Sequence, residues 1–515
     1  AAGGYLYTND GFTISCFDRF TLRLVWRNDS ANLLDDGPQS SSTNRARIGR
    51  LLADSCNVTI DRGTLFSALG LARGGNQSNE GSVVALDAES GALQWSIDLN
   101  ELDPSLEDTH ARGAIVVDGD TVIVAARKNS RQQRLVGMNL IGLNRESGAL
   151  KWIRPIGSAG SLPFQQSGQI AHSGIAHRGA VYWSDAIGVV TAIEAENGRV
   201  LWVRQLPSPE LYSRKTRPIW SASTPVIIQD RLFVLSPTSD ELFEIDPESG
   251  EQLARRMPQP IGQVMYIVAC GDTIACIGET EIAFYPVDDF ASANPRRSIA
   301  LGVGQGGISG RVVALGATLA VPLIDQVMLL DASDAQPIRS IELASTGNIL
   351  PLDGQIVVVD ESSIRSHLSW EITSQILNER INEGSDPSPA ITLAELARSA
   401  SHPDQILPAV DTAIRLAKAQ TAVDQRATRK RLFAVVHDMI APKDPADRSI
   451  IDADLHNALL DRMGTLASSN EQLVAHRFAL GSQREIHARF DEAIQAYQDI
   501  LAQRSLQTTM WEGEG

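Results

Sequence analysis

The spacing of hydrophobic positions divides this chain into two parts. Up to Leu368, short runs alternate apolar and polar side chains, are rich in β-branched residues and are separated by turn formers, which is typical of strands. After Leu368, apolar residues recur every three to four positions in about seven segments, which is typical of amphipathic helices. The pattern therefore predicts a mainly β protein with a C-terminal α domain, with boundaries at 1–368 and 369–515.

A repeat runs through the β part. A strand ends in Asp, Asn or Glu, a glycine follows four residues later, and a tryptophan stands four residues after the glycine. The polar side chain can accept backbone N–H bonds across a tight turn, and the glycine allows the positive φ that closes a bulged hairpin. The full pattern occurs at Val83–Trp95, Asn139–Trp152 and Val190–Trp202, a fourth copy at Leu242–Ala254 lacks the tryptophan, and weaker copies surround Trp26 and Asp331.

The spacing of this repeat predicts the architecture. Its glycine position recurs every 50 to 69 residues, which suits a four-stranded propeller blade with insertions. Seven units can be traced, and residues 347–368 add up to three further strands. We therefore predict an eight-bladed ring closed by the N- and C-terminal strands, with a seven-bladed ring, whose first blade the final strands complete, as the alternative.

The pattern D-x-x-[ST]-G-x-x-x-W resembles the tryptophan-docking motif of PQQ-like (quinoprotein-like) β-propellers, over roughly residues 1–368. That family contains quinoprotein alcohol dehydrogenases and non-catalytic relatives, such as the propeller lipoprotein of the outer-membrane barrel-assembly machinery. The resemblance implies that each tryptophan packs against the neighbouring blade. The structural residues that it implies are Trp26, Trp95, Trp152 and Trp202, with the turn glycines Gly91, Gly148, Gly198 and Gly250.

The end of the α part resembles a tetratricopeptide repeat. Leu480, Gly481, Ala493 and Tyr497 stand at the spacing of that repeat, and Phe490 stands where the family has an aromatic residue. The match departs from the family at Arg477, Arg484 and Ser505. The resemblance implies stacked helical repeats with a concave groove.

Composition narrows the function. The 515 residues carry a formal net charge of −17, which argues against a nucleic-acid partner because phosphates need a basic surface. No apolar run is long enough for a transmembrane helix. The chain opens inside a blade, so we expect a signal peptide or lipid-attachment sequence to lie upstream of Ala1, and membrane association to occur only through such residues or a partner. The incomplete repeat at the other end suggests a chain that continues past Gly515.

The four cysteines are few and widely spaced. Cys270 and Cys276 flank a Gly-Asp turn, so a disulfide across this hairpin is one interpretation, and two buried thiols are the favoured one. Cys16 and Cys56 lie in adjacent predicted blades. Neither pair has zinc-site spacing.

Motifs for catalysis are missing. A quinoprotein dehydrogenase would need a vicinal cysteine pair, and the sequence has none, nor does it have a c-type haem motif, a P-loop, a G-x-S-x-G elbow or an H-E-x-x-H motif. We therefore predict no catalytic residues, no cofactor and no metal.

Two groups of residues are candidates for binding. The first could line one rim of the propeller channel and hold a small ligand, although a solvated pore lining is the favoured alternative: His110, Arg112, His172 and Ser223. The second lies in a loop and could receive an acidic peptide or a sugar, with a solvated loop as the favoured alternative: Arg214, Lys215, Arg217 and Trp220.

The favoured function is a non-catalytic interaction scaffold of the bacterial cell envelope, located in the periplasm or associated with the envelope. Other proteins or peptides would bind at the propeller face and in the helical groove. The alternatives are a PQQ-dependent dehydrogenase-like enzyme, or a sensor that binds a small ligand or carbohydrate in the channel.

Overall fold

The structure is a computed structural model with two compact units, Ala1–Pro351 with Ile356–Ser366, and Leu352–Gln355 with His367–Gly515. The residues that it describes are 4–29, 57–69, 82–107, 109–111, 113–130, 135–160, 173–185, 188–207, 223–236, 241–256, 264–278, 281–291, 297–301, 307–343, 346–360, 363–441 and 451–509.

The first unit is a β-propeller with eight antiparallel sheets among the described residues. The first four blades contain β1 (Tyr5–Asn9), β2 (Thr13–Asp18) and β3 (Leu24–Asp29); β4 (Val58–Asp61), β5 (Thr64–Leu69), β6 (Ser82–Asp87) and β7 (Leu93–Asp98); β8 (Thr109–Ala111), β9 (Val116–Asp118), β10 (Thr121–Ser130), β11 (Leu135–Asn144) and β12 (Leu150–Gly160); and β13 (Ser173–His177), β14 (Ala180–Ser184), β15 (Val189–Glu194) and β16 (Val200–Gln205). A short helix α1 (Leu99–Leu102) and a 3-10 turn (Pro104–Leu106) connect the second blade to the third.

The other four blades complete the count. They contain β17 (Val226–Ile228), β18 (Arg231–Leu235), β19 (Leu242–Ile245) and β20 (Gln252–Arg256); β21 (Val264–Cys270), β22 (Thr273–Gly278), β23 (Glu281–Pro286) and β24 (Arg297–Ala300); β25 (Val313–Leu315), β26 (Thr318–Pro322), β27 (Gln326–Asp331) and β28 (Pro337–Glu342); and β29 (Asn348–Leu352), β30 (Gln355–Val359) and β31 (Ile364–Leu368). The prediction of eight blades is confirmed. The seven-bladed alternative is wrong, because β1–β3 and β29–β31 form two separate sheets.

Apolar side chains form the core between neighbouring blades. The second and third strands are buried on both faces, as in β5, where every residue is buried. Phe66 of the second blade packs in one cluster with Val122 of the third, and Ile123 of the third packs with Trp183 of the fourth. Burial on both faces explains why these strands are almost continuously apolar.

The predicted bulged hairpins are present at the end of the third strand. Gly91 N–H donates to the Asp87 carbonyl at 2.8 Å, and the β6–β7 register shifts between Ala85 and Leu86. The third and fourth blades repeat the arrangement, with shifts after Gly142 and Ala192. The turn therefore places the tryptophan strand at the outer edge of each blade.

The second unit is helical. Its helices are α2 (Trp370–Glu383), α3 (Ser388–Ser399), α4 (Pro403–Ala417), α5 (Ala422–Ile440), α6 (Ala453–Leu466), α7 (Asn470–Ile486), α8 (Phe490–Ala502) and α9 (Arg504–Gln507). Side-chain caps begin three of them, since Thr421, Asp452 and Ser469 each accept a backbone N–H of the first turn. Within the described part of the chain, no helix combines the length and the apolar character needed to cross a membrane.

Candidate interaction site

Each of the four motif tryptophans docks on the turn of the next blade. The indole Nε1–H donates to a backbone carbonyl there, and the acceptor always follows the Asp, Asn or Glu of the motif. The donor–acceptor pairs are Trp26 to Ala88 at 3.1 Å, Trp95 to Arg145 at 3.0 Å, Trp152 to Ala195 at 3.1 Å and Trp202 to Pro247 at 2.9 Å. A buried indole is thus both packed and hydrogen-bonded.

The turn glycine lies directly under the docked ring. Gly198 has a φ of +69°, and a Cβ added to it would lie 2.4 Å from the Trp152 ring. Any other residue at this position would meet both a left-handed backbone and the indole. The same arrangement joins Gly91 to Trp26, Gly148 to Trp95 and Gly250 to Trp202.

A second docking residue was missed by the sequence analysis. At three of the four tryptophan junctions, the polar side chain two positions after the tryptophan donates to the carbonyl of the same glycine in the next blade. The pairs are Asn28 to Gly91 at 2.5 Å, Arg154 to Gly198 at 2.6 Å and Arg204 to Gly250 at 2.9 Å. The constant spacing from the tryptophan is the signal that could have identified these residues.

The docking changes after the fifth blade. Ala254 stands in the tryptophan position, and Arg256, two residues later, extends over the rings of Tyr285 at 4.4 Å and Phe290 at 5.4 Å in the sixth blade. Further on, Arg297 Nη1 donates to the Asp334 carbonyl at 2.8 Å. Cation–π and arginine–carbonyl contacts therefore occur at these junctions.

The turn carboxylates are held by serine side chains. The Asp87 carboxylate accepts from Ser90 Oγ at 2.6 Å, and this hydrogen bond is the main reason that its pKa is lowered. The pKa of Asp331 is lowered mainly by the corresponding bond from Ser333. These aspartates stay ionised and hold their turns closed.

Ion pairs join hairpin turns of neighbouring blades. Arg145 Nε lies 2.9 Å from Asp61 Oδ2. His177 Nε2 and Arg178 Nη2 lie 3.1 Å and 2.8 Å from Asp230. His177 therefore contacts the next blade.

The predicted channel-rim residues are only partly within the described residues. His110 lies in β8, in register with Arg127 of β10. Ser223 Oγ accepts from Ile267 N–H of the sixth blade at 3.3 Å. Arg112 and His172 lie outside the described residues. A ligand site at this rim stays a prediction.

The predicted loop site also stays a prediction. Its four residues, Arg214, Lys215, Arg217 and Trp220, all lie outside the described residues.

The described cysteines are buried, free thiols: Cys16, Cys270 and Cys276. In the β21–β22 register Cys276 lies opposite Ile267 and Cys270 opposite Thr273, so the two sulfurs are on opposite faces of the blade. The disulfide interpretation is therefore wrong. Burial raises the pKa to about 12 for Cys16 and Cys276 and to about 11 for Cys270, so these thiols stay protonated and unreactive. Cys56 lies outside the described residues.

A quinone site of the dehydrogenase type would need a vicinal cysteine pair. The sequence has no adjacent cysteine pair. In the part of the chain that the structure describes, no group of three His, Cys, Asp or Glu side chains could hold a metal ion. The cysteine pair of that site is therefore missing from the chain.

Together, these features define an eight-bladed PQQ-like β-propeller with tryptophan docking, followed by a helical unit. The family model described as outer membrane protein assembly factor BamB matches residues 10–283, which is more than half of the chain. The chain belongs to this family, and the resemblance inferred from the docking motif is confirmed.

Individual relatives are distant. Comparison with curated proteins finds no match. Similar solved structures include BamB from Moraxella catarrhalis (14% identity, TM-score 0.46, covering 71% of this chain and 93% of that one). A europium-containing methanol dehydrogenase has 10% identity and a TM-score of 0.48, covering 70% of this chain and 81% of that one. The quinohemoprotein alcohol dehydrogenase from Comamonas testosteroni has 11% identity and a TM-score of 0.47, covering 69% and 68%.

Proposed function

We propose that this protein is a non-catalytic interaction scaffold of the bacterial cell envelope, located in the periplasm or associated with the envelope. The observation that carries the proposal is membership of the family described as an outer-membrane assembly factor, over residues 10–283. The function in that description is assembly, which proceeds through protein–protein contacts. Its partners would therefore be other proteins or peptides.

The geometry of the propeller supports this role. Packing, indole hydrogen bonds and arginine–carbonyl bonds fix successive blades against each other, as Trp152 and Arg154 do at one junction. Loops carried on a rigid framework bind partners with a small loss of conformational entropy. The propeller face and the helical groove are the two proposed binding surfaces, and the tetratricopeptide-like character of the helices is part of the proposal.

The test combines capture with a cofactor assay. Tagged protein is incubated with an envelope extract, and captured proteins are identified with and without an excess of untagged protein. We expect an outer-membrane assembly component that the untagged protein displaces. In parallel, native mass spectrometry is run with added PQQ and calcium.

The outcomes separate the competing functions. A stoichiometric quinone adduct would replace the scaffold by the dehydrogenase-like alternative. Binding of a carbohydrate or small metabolite, with no displaceable protein, would favour the sensor. A displaceable envelope protein without an adduct supports the scaffold.

A further inference from the structure

Helix α8 has an apolar face that none of the described residues covers. Phe490, Ile494 and Leu501 are 61%, 52% and 65% exposed, and Tyr497 lies between them at the same helical spacing. The helix already buries a different face, through Ala493 and Ala496. A helix with a second, solvent-facing apolar stripe is typical of an interaction surface.

The stripe is one wall of a groove between α7 and α8. The Tyr497 ring lies 5.8 Å from that of Phe478, and it packs so closely on Gly481 that an added Cβ would lie 2.3 Å from it. Phe478 is itself exposed, and Ile486, near the end of α7, is 78% exposed. Phe478 of α7 and Tyr497 of α8 therefore line the same side of the helix pair.

The chain itself shows what kind of element fits beside α7. The short helix α9 packs on both α7 and α8, its Leu506 is buried, and Asn470 Nδ2 donates to the Ser505 carbonyl. This turn of helix lies at the start of α7, whereas Phe478 and Ile486 lie further along the helix. A longer helix could occupy the rest of the groove.

The charge around the groove is acidic. Residues 470–502 contain five carboxylates and three arginines. Each arginine is already paired within the hairpin, in the pairs Arg477 with Asp499, Arg484 with Glu492 and Arg489 with Glu492. Among the described residues no ion pair joins an arginine or lysine to Glu485 or Asp491, whereas the charge of Lys430 acts on Glu471. A second copy of this hairpin would bring like charges together, whereas a basic partner would be attracted.

We propose that the α7–α8 groove binds an amphipathic helix of a partner polypeptide, with apolar residues at a three-to-four spacing and Lys or Arg along its flanks. Helix-in-groove recognition uses this combination of apolar anchors and a complementary rim. The inference rests on the proposed scaffold function and assigns one of its surfaces.

The probe is a fluorescent synthetic helix with leucines at heptad positions and lysine flanks, together with a twin whose flanks are glutamate. Binding to the full chain is followed by fluorescence anisotropy at two salt concentrations. We expect the lysine peptide to bind at least tenfold more tightly than its twin. Ile494→Asp should lower its affinity at least tenfold, although the added carboxylate increases the electrostatic attraction, because the apolar anchor is lost.

The matched control is Val423→Asp. Val423 is 77% exposed on α5, and the substitution changes the net charge by the same amount without altering the groove. We expect this variant to bind both peptides as the unmodified chain does. Asp491→Lys should narrow the difference between the two peptides.

Three results would overturn the inference. The lysine and glutamate peptides would bind equally, Ile494→Asp and Val423→Asp would lose the same amount of affinity for the lysine peptide, or the lysine peptide would not bind. Light scattering adds a fourth, since a dimer that Ile494→Asp abolishes would assign the groove to a second copy. The scaffold proposal is judged separately by envelope capture. If Ile494→Asp still captures the same partner and the peptide does not bind, only the groove inference fails.

Discussion

Neighbouring blades of the propeller are joined in two different ways, although the turn at the end of the third strand is the same. The comparison shows that forming the turn and docking the next blade have different sequence requirements. From the first blade to the fifth, each junction has a tryptophan over a glycine. At the next two junctions, arginines contact aromatic rings or a backbone carbonyl instead. Yet the turn itself is the same in both halves, since Ala335 N–H donates to the Asp331 carbonyl at 2.8 Å, as Gly91 N–H does to Asp87.

The residue at the glycine position explains this difference. Leu22 and Ala335 occupy that position with φ values of 54° and 56°, so the turn forms without glycine. Neither receives a docked tryptophan, because β24 and β31, the outer strands of the blades that precede theirs, contain none. Glycine is therefore required chiefly where an indole needs the space of the missing Cβ.

The largest expected effect comes from removing a docked ring. Trp152→Ala should lower the free energy of unfolding by about 3–5 kcal/mol, because it creates a cavity between two blades and leaves the Ala195 carbonyl without its donor. Denaturant unfolding followed by circular dichroism measures this loss. Ile338→Ala, at an exposed position on β28, is the control, with an expected change below about 0.5 kcal/mol. A loss below about 1 kcal/mol for Trp152→Ala would show that the indole does not hold the junction.

The glycine comparison comes next in size. Gly198→Ala should cost about 2–4 kcal/mol, since its Cβ meets both the left-handed backbone and the Trp152 ring. The reverse change, Ala335→Gly, should alter stability by less than about 1 kcal/mol, because strain relief is offset by greater freedom of the unfolded chain. Thermal and denaturant unfolding of both variants measure the difference. Similar losses of stability in Gly198→Ala and Ala335→Gly would contradict the conclusion that glycine is required for docking the indole and not for forming the turn.

A smaller effect is expected in the other half of the ring. Arg256→Ala should cost about 1–2 kcal/mol, through the loss of the cation–π contacts with Tyr285 and Phe290. Arg256→Lys tests the planar stacking, because lysine keeps the charge without the flat guanidinium. The same unfolding assay applies. If Arg256→Ala costs as much as Trp152→Ala, the two docking modes are equivalent in strength.

The sequence predicted the parts of this fold that depend on local chemistry. Blades, bulged turns and tryptophan positions follow from alternation and from the Asp-to-Gly-to-Trp spacing. Arg256 could not be assigned, because its role depends on which rings the next blade presents. The pairing of both β8 and β9 with β10 was also hidden, since β8 is only three residues long.

The binding candidates show the same limit. The sequence predicted Ser223 at the channel rim, but it could not show that the Ser223 hydroxyl accepts a backbone N–H of the next blade. The spacing of apolar residues in the sequence predicted that α8 is the helix of a repeat, but it did not predict which of its apolar side chains are exposed. Their exposure depends on tertiary packing, because the sequence does not say which of two apolar faces is covered.

The smallest effect is expected from removing the serine hydroxyl of the turn. This change tests whether the turn is equivalent at the tryptophan junctions and at the arginine junctions. Ser90→Ala and Ser333→Ala each remove the hydroxyl that lowers the pKa of Asp87 or Asp331, so both pKa values should rise toward the ordinary value of 3.8. A lowered carboxyl pKa stabilises the fold above the unfolded-state value, and this stability is lost as the pH falls through the native value. Both variants should therefore be slightly less stable than the unmodified chain near neutrality, and the difference should disappear as the pH falls through the native pKa. Carboxyl NMR titration and acid unfolding measure the two shifts. Matching shifts would mean that the halves differ only in docking, whereas a shift confined to Ser90→Ala would mean that the tryptophan half also depends on its turn.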